Sequence, residues 1–210
     1  MAEDYRNTKY CLKLENIKDK KNNVKKLVKD DYPNAVDMHT YISKNDEKYK
    51  NHFMRAYNCK CAYCGVSLDL VPKVLFEIDH FLYEKSSRFR SKKYAGYIEN
   101  LVLACHDCNH KKSSFDISDA DYNILYPDGD NIRNTFYRDD KFYIKISKKM
   151  EENLTVKAFY DKLQFGSEIH RLDLLLMSLI GFQREHEDNN ELYTEVGKTI
   201  DILRKKRNMM

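Results

Sequence analysis

Cys105-His106-Asp107-Cys108-Asn109-His110-Lys111-Lys112-Ser113 decides the fold when it is set beside Cys61-Ala62-Tyr63-Cys64, with forty residues between the two cysteine pairs. Each Cys-x2-Cys turn aims two thiolates at one point, and two such turns complete the four-coordinate shell of a tetrahedral Zn²⁺. The spacing predicts a zinc site of Cys61, Cys64, Cys105 and Cys108. A shell closed by four sulfurs keeps no open position, so this zinc holds structure and does no chemistry. Cys59 stands one residue too close to Cys61 to share the turn, and it is read with Cys11 as a free thiol.

Between the pairs, Val74-Leu75-Phe76-Glu77-Ile78-Asp79-His80-Phe81 predicts one strand and Glu99-Asn100-Leu101-Val102-Leu103-Ala104 a second, with a short helix over 105–113. Neighbouring residues on a strand point to opposite faces, so Asp79 and His80 serve one substrate only if the strand bends or ends there. On the helix, Cys108 and Asn109 are about 100° apart, which puts zinc on one face and a second site on the next. His106, Asn109, His110 and Ser113 share that second face by three- and four-residue steps. His110 is there either as a further ligand or phosphate contact, or as an exposed histidine.

This succession of a cysteine knuckle, a strand ending in Asp79-His80, Asn100 opening a second strand and a helix with Cys105-x2-Cys108-Asn109 resembles the HNH endonuclease family. The resemblance implies an α+β fold: a zinc-stapled ββα-metal nuclease core flanked by N- and C-terminal helical segments. It also implies hydrolysis of phosphodiester bonds, with DNA as the expected substrate and a rival reading as a non-catalytic zinc module that only binds nucleic acid. By the same resemblance, Asp79 and Asn109 bind one catalytic cation, Mg²⁺ or Mn²⁺; His80 is the general base; and Asn100 braces the loop without touching the metal. Many members follow Asp-His with x2-Pro and a glycine-rich loop, whereas Phe81-Leu82-Tyr83-Glu84-Lys85 has neither and the loop carries only Gly96.

Charge sharpens the picture. The whole chain of 210 residues is only +4, too little for a purely electrostatic nucleic-acid binder, so any such role needs local clustering. Lys85, Arg88, Arg90, Lys92 and Lys93 crowd the loop after Asp79-His80 against Glu84 alone. With Lys111 and Lys112 they form the expected phosphate-neutralising patch. The segment from Asp116 to Asp140 holds seven Asp against two Arg and should turn away from phosphate.

Three segments follow: helical 1–57, the nuclease core 58–115, and a hairpin with C-terminal helices, 116–210. In the first, Lys18, Lys20, Lys21, Lys25, Lys26 and Lys29 form either a DNA-facing surface or, with acids interspersed, a solvated helix face. In the last, Thr135–Arg138 and Phe142–Ile146 flank a turn of Asp residues, and Leu192, Val196, Ile200 and Leu203 make one helical stripe. Arg204-Lys205-Lys206-Arg207 suits either phosphate or a helix C-terminus. The charged start Met1-Ala2-Glu3-Asp4-Tyr5-Arg6 and the mean hydropathy of −0.75 argue for a cytoplasmic chain with no membrane partner. The length and helical flanks are similar to the small HNH subunits of bacterial antiphage systems such as the Septu type, which implies a regulatory ATPase partner.

Overall fold

A computed structural model describes residues 3–44 and 47–210; the first two residues of the charged start lie outside it. The elements in chain order are α1 (Ile17–Asp31), α2 (Met38–Ile42), α3 (Glu47–Ala56), β1 (Phe76–His80), α4 (Lys92–Ala95), β2 (Leu101–Cys105) and α5 (His106–Lys112). They continue with α6 (Asp119–Leu125), α7 (Ile132–Thr135), β3 (Phe136–Arg138), β4 (Ile144–Ile146), α8 (Leu154–Lys162), α9 (Glu168–Glu185) and α10 (Asn190–Asn208).

β1 and β2 pair antiparallel with Phe76 opposite Cys105 and His80 opposite Leu101. α5 starts at the residue after β2, which gives the β-β-α succession expected of the core. Both strands are shorter than predicted because 3₁₀ turns at Lys73–Leu75 and Ile98–Asn100 replace their first residues. β2 is buried along its whole length, so Leu101, Val102, Leu103 and Ala104 read as a continuous apolar run with no alternation.

The flanks pack onto this core. α1 buries Ile17, Val24 and Val28, and the same face carries Lys21, whose ammonium is buried 2.6 Å from Asp128. That lysine therefore belongs to neither reading of the α1 charge run: its stem lines the core and its charge closes a buried pair. α2 is capped by Asp37, which accepts from the Thr40 amide at 3.3 Å. Met38 N then donates to Gly96 O at 2.7 Å, stitching α2 to the loop after β1. A Cβ on Gly96 would lie 1.9 Å from Asp37 Oδ1, so a larger residue there would push the capping carboxylate aside.

On the other side, Tyr5, Phe136, Phe159 and Phe165 form an aromatic cluster that reaches Tyr63 through a ring contact of 6.1 Å with Phe159. The predicted hairpin is present as β3 and β4, with Phe136 opposite Ile146. Asn153 caps α8 by accepting from Val156 N at 2.9 Å. Three residues of the predicted α10 stripe lie on α9: Ile200 is buried with Leu176 and Ile180, and Val196 and Leu203 pack beside them, while Leu192 is half-buried outside this cluster. Of the basic cluster, Lys206 pairs with Glu168 at 3.0 Å and Arg207 with Asp173, so half of it serves the chain's own packing. No helix among the described residues is long and apolar enough to cross a membrane.

Candidate functional site

The two cysteine pairs meet. The Sγ atoms of Cys61, Cys64, Cys105 and Cys108 all lie within 4.8 Å of one another, and all four residues are buried. Sulfurs about 2.3 Å from a tetrahedral zinc are about 3.8 Å apart, and Cys64 and Cys105 stand at 3.9 Å. The donor set fits a soft dication such as zinc.

Without a cation the thiols share protons unequally. Burial opposes ionisation, yet hydrogen bonds from Cys105, Cys108 and Cys64 pull Cys61 well down, and the same network pushes Cys64 and Cys108 up.

The first knuckle is set by backbone bonds: Gly65 N donates to Cys61 O at 2.9 Å, Cys61 N to Val66 O at 2.8 Å, and Ala62 N to Leu103 O of β2 at 2.7 Å. Gly65 has φ +82°, and a Cβ there would meet Arg6 O at 2.5 Å. The N-terminal arm clamps the turn from outside. Tyr5 Oη donates to Tyr63 O at 2.6 Å, and the buried Arg6 guanidinium donates to Ala62 O at 2.5 Å and Pro127 O at 2.8 Å.

β1 divides its polar residues between two faces. Glu77 and Asp79 look toward α5 and the knuckle. Glu77 accepts from the Asn109 side-chain amide and lies 2.7 Å from His106 Nδ1. Asp79, only 8% exposed, accepts from Tyr63 Oη at 2.5 Å and pairs with Lys112 at 3.0 Å. His80 belongs to the other face, where its ring stacks on that of His39 from α2, centroids 4.5 Å apart. β1 ends at His80, and the chain then turns: Phe81 N donates to Asn100 O at 2.8 Å. Asn100 is buried at this corner, accepting from Leu82 N at 2.8 Å and donating to Leu82 O at 3.0 Å and Ala95 O at 2.9 Å.

Burial raises Asp79 above the usual carboxylate range although Lys112 and Tyr63 pull the other way. At Glu77 burial is outweighed by hydrogen bonds from Asn109 and His106, and its carboxyl sits below the ordinary value. Burial, with His39 second, pushes His80 down to about 4. A neutral imidazole is the form able to take a proton.

The basic residues separate into two groups. Lys112, expected in the phosphate-facing patch, is instead wholly buried, with its ammonium on Asp79 and on His80 O at 2.9 Å. Arg88 binds Ile117 O and pairs with Asp119 at 3.1 Å, Lys92 pairs with Glu84 at 2.9 Å, and Lys111 with Asp107 at 2.9 Å. Lys85, Arg90 and Lys93 are exposed and pair with no acid among the described residues.

Sequence reasoning misses Glu77, His39 and Tyr63. Glu77 shares strand parity with Asp79, a signal that was available. A further donor group lies between β1 and α5: Glu77, His106 and His110 each offer one atom within 4.8 Å of the others.

Residues 61–115 match the family model of the HNH endonuclease. The chain is also similar to the Septu protein PtuB of Bacillus mycoides (strain KBAB4), 24% identical over 194 residues. The match covers 75% of this chain and spans 65% of the length of that relative. No solved structure matches the chain.

Proposed function

We propose that this chain, whose residues 61–115 form an HNH endonuclease domain, hydrolyses phosphodiester bonds of DNA with a single divalent cation. The observation that carries the reading is the four-sulfur cluster, which joins the knuckle to β2 and α5 and so sets Asn109 against Glu77, on the face of β1 that also carries Asp79, with His80 ending the strand on the opposite face. Cys61, Cys64, Cys105 and Cys108 would hold zinc. Asp79 and Asn109, the positions the resemblance assigns, would hold Mg²⁺ or Mn²⁺. A dication bound there supplies positive charge to the scissile phosphate and to the departing 3′-oxygen.

The chain's own residues do the rest. His80, held neutral by burial, takes the proton of the attacking water. Asn100 holds the corner after β1, so that the base keeps its position beside the loop. Lys85 and Arg90 on that loop, and Lys93 on α4, neutralise flanking phosphates. The products carry 5′-phosphate and 3′-hydroxyl ends.

Similarity to a Septu protein supports a place in bacterial antiphage defence, with a regulatory ATPase as partner. The test is plasmid cleavage in Mg²⁺ or Mn²⁺ by wild type and His80→Ala. A loss of about a hundredfold or more is expected. Undiminished cutting in the variant, or no cutting by wild type with and without copurified partner, rejects the nuclease in favour of a binding module.

A further inference from the structure

His106 and His110 stand one helical turn apart on α5, both exposed, with ring centroids 4.1 Å apart. Below them lies Glu77 of β1. His106 Nδ1 is 2.7 Å from Glu77 Oε1, and the other Glu77 oxygen accepts from Asn109. One donor atom from each of Glu77, His106 and His110 lies within 4.8 Å of the other two. Asp79 is differently placed. Its carboxylate is buried and already balanced by Lys112 and Tyr63, so a cation binding it has to displace a buried ammonium.

We propose that Glu77, His106 and His110 form a divalent-cation site beside Asn109, and that this site prefers a transition metal such as Ni²⁺, Co²⁺ or Zn²⁺ to Mg²⁺. This site is separate from the position on Asp79 and Asn109 that the nuclease reading gives its cation, and it does not rest on that reading. Mg²⁺ demands an octahedron of oxygens and gives up water reluctantly. Two imidazoles and one carboxylate instead suit the later first-row dications. Three ligands leave positions open for water or a phosphate oxygen.

The experiment is isothermal titration of the full chain, its cysteine site already loaded with zinc, with Ni²⁺ as probe, alone and in excess Mg²⁺. Wild type is expected to bind one Ni²⁺ that Mg²⁺ does not displace. His106→Ala, His110→Ala and Glu77→Gln are expected to weaken binding at least tenfold, while His39→Ala changes it less than twofold. The two histidine variants alter exposed side chains, and unchanged melting temperatures show that they fold. Wild-type affinity in both, loss of binding in His39→Ala, or equal competition by Mg²⁺ overturns the site. A chain that binds Ni²⁺ through these residues and cuts no DNA supports the site while rejecting the nuclease. A chain that cuts DNA in Mg²⁺ and binds no Ni²⁺ overturns the site alone.

Discussion

The imidazole of His39 lies against that of His80, with centroids 4.5 Å apart and 29° between the ring planes. The ring of His39 is itself fixed, because its Nε2 is 3.1 Å from the carbonyl oxygen of Ile78 and its Nδ1 is 3.4 Å from Ser43 Oγ. The N-terminal helices thus supply a platform that limits the rotamers of the half-buried side chain at the end of β1.

His39→Ala should then slow cleavage about tenfold by loosening His80, well short of the loss expected for His80→Ala. His39→Phe keeps a flat ring and should recover most of the rate. Initial rates on supercoiled plasmid, with melting temperatures as a folding control, decide it. Full activity in the alanine variant, or no recovery with phenylalanine, removes the platform role.

Lys112 and the exposed cations Lys85, Arg90 and Lys93 should behave in opposite ways. Lys112→Met leaves Asp79 buried beside Tyr63 without its ammonium, a change that costs about 3–5 kcal/mol. Urea denaturation should show this destabilisation. The triple change of Lys85, Arg90 and Lys93 to Ala should leave stability within about 0.5 kcal/mol. It should flatten the dependence of log binding constant on log salt by about 0.9 for each phosphate left without a neutralising cation. A salt slope that responds to Lys112 and ignores the loop reverses the assignment.

Much of this division was legible in helical phase. Lys112 lies four residues after Cys108, so it shares the inward face of α5 although the run Lys111-Lys112 looks like surface. The cysteine spacing and the Asp-His strand end locate the core because both are local patterns with few geometric solutions. His39 carries no such signal: its nearness to His80 depends on the bond from Met38 to Gly96, which joins two distant segments. Glu77 lies between. Strand parity puts it on the Asp79 face, but only the packing of α5 against β1 gives it His106 and Asn109 as partners.

Removing the cysteine-bound metal should unfold the core. Four thiols buried together gain their stability from the cation, whose binding contributes on the order of 10 kcal/mol in small zinc domains. Cys105→Ser, which breaks the set at the junction of β2 and α5, is expected to lower bound zinc from one per chain to none and to abolish cooperative melting. Elemental analysis and circular dichroism measure both. A zinc-free variant that still melts cooperatively at the wild-type temperature shows that the cluster is not structural.

His170 should make the C-terminal helices acid-sensitive. Its ring is buried, with Nε2 3.3 Å from Leu163 O and no partner for Nδ1 among the described residues. Burial lowers its pKa against the pull of Asp173, while the nearby Arg138 pushes the same way as burial. Above an unfolded value near 6.5 both states are neutral and the full stability is present. As pH falls below that value the unfolded chain binds a proton that the folded chain refuses, so stability declines by at most about 1.4 kcal/mol per pH unit for this group. Asp173, whose pKa is raised by burial against Arg207, acts with the opposite sign and at lower pH. Between pH 7 and 5, His170→Leu should therefore lose less stability than wild type, by up to one proton's worth of slope. The remainder stays, because His80 is depressed in the same way. Equal slopes for the two proteins in urea titrations at each pH would show that His170 accepts its proton in the folded state.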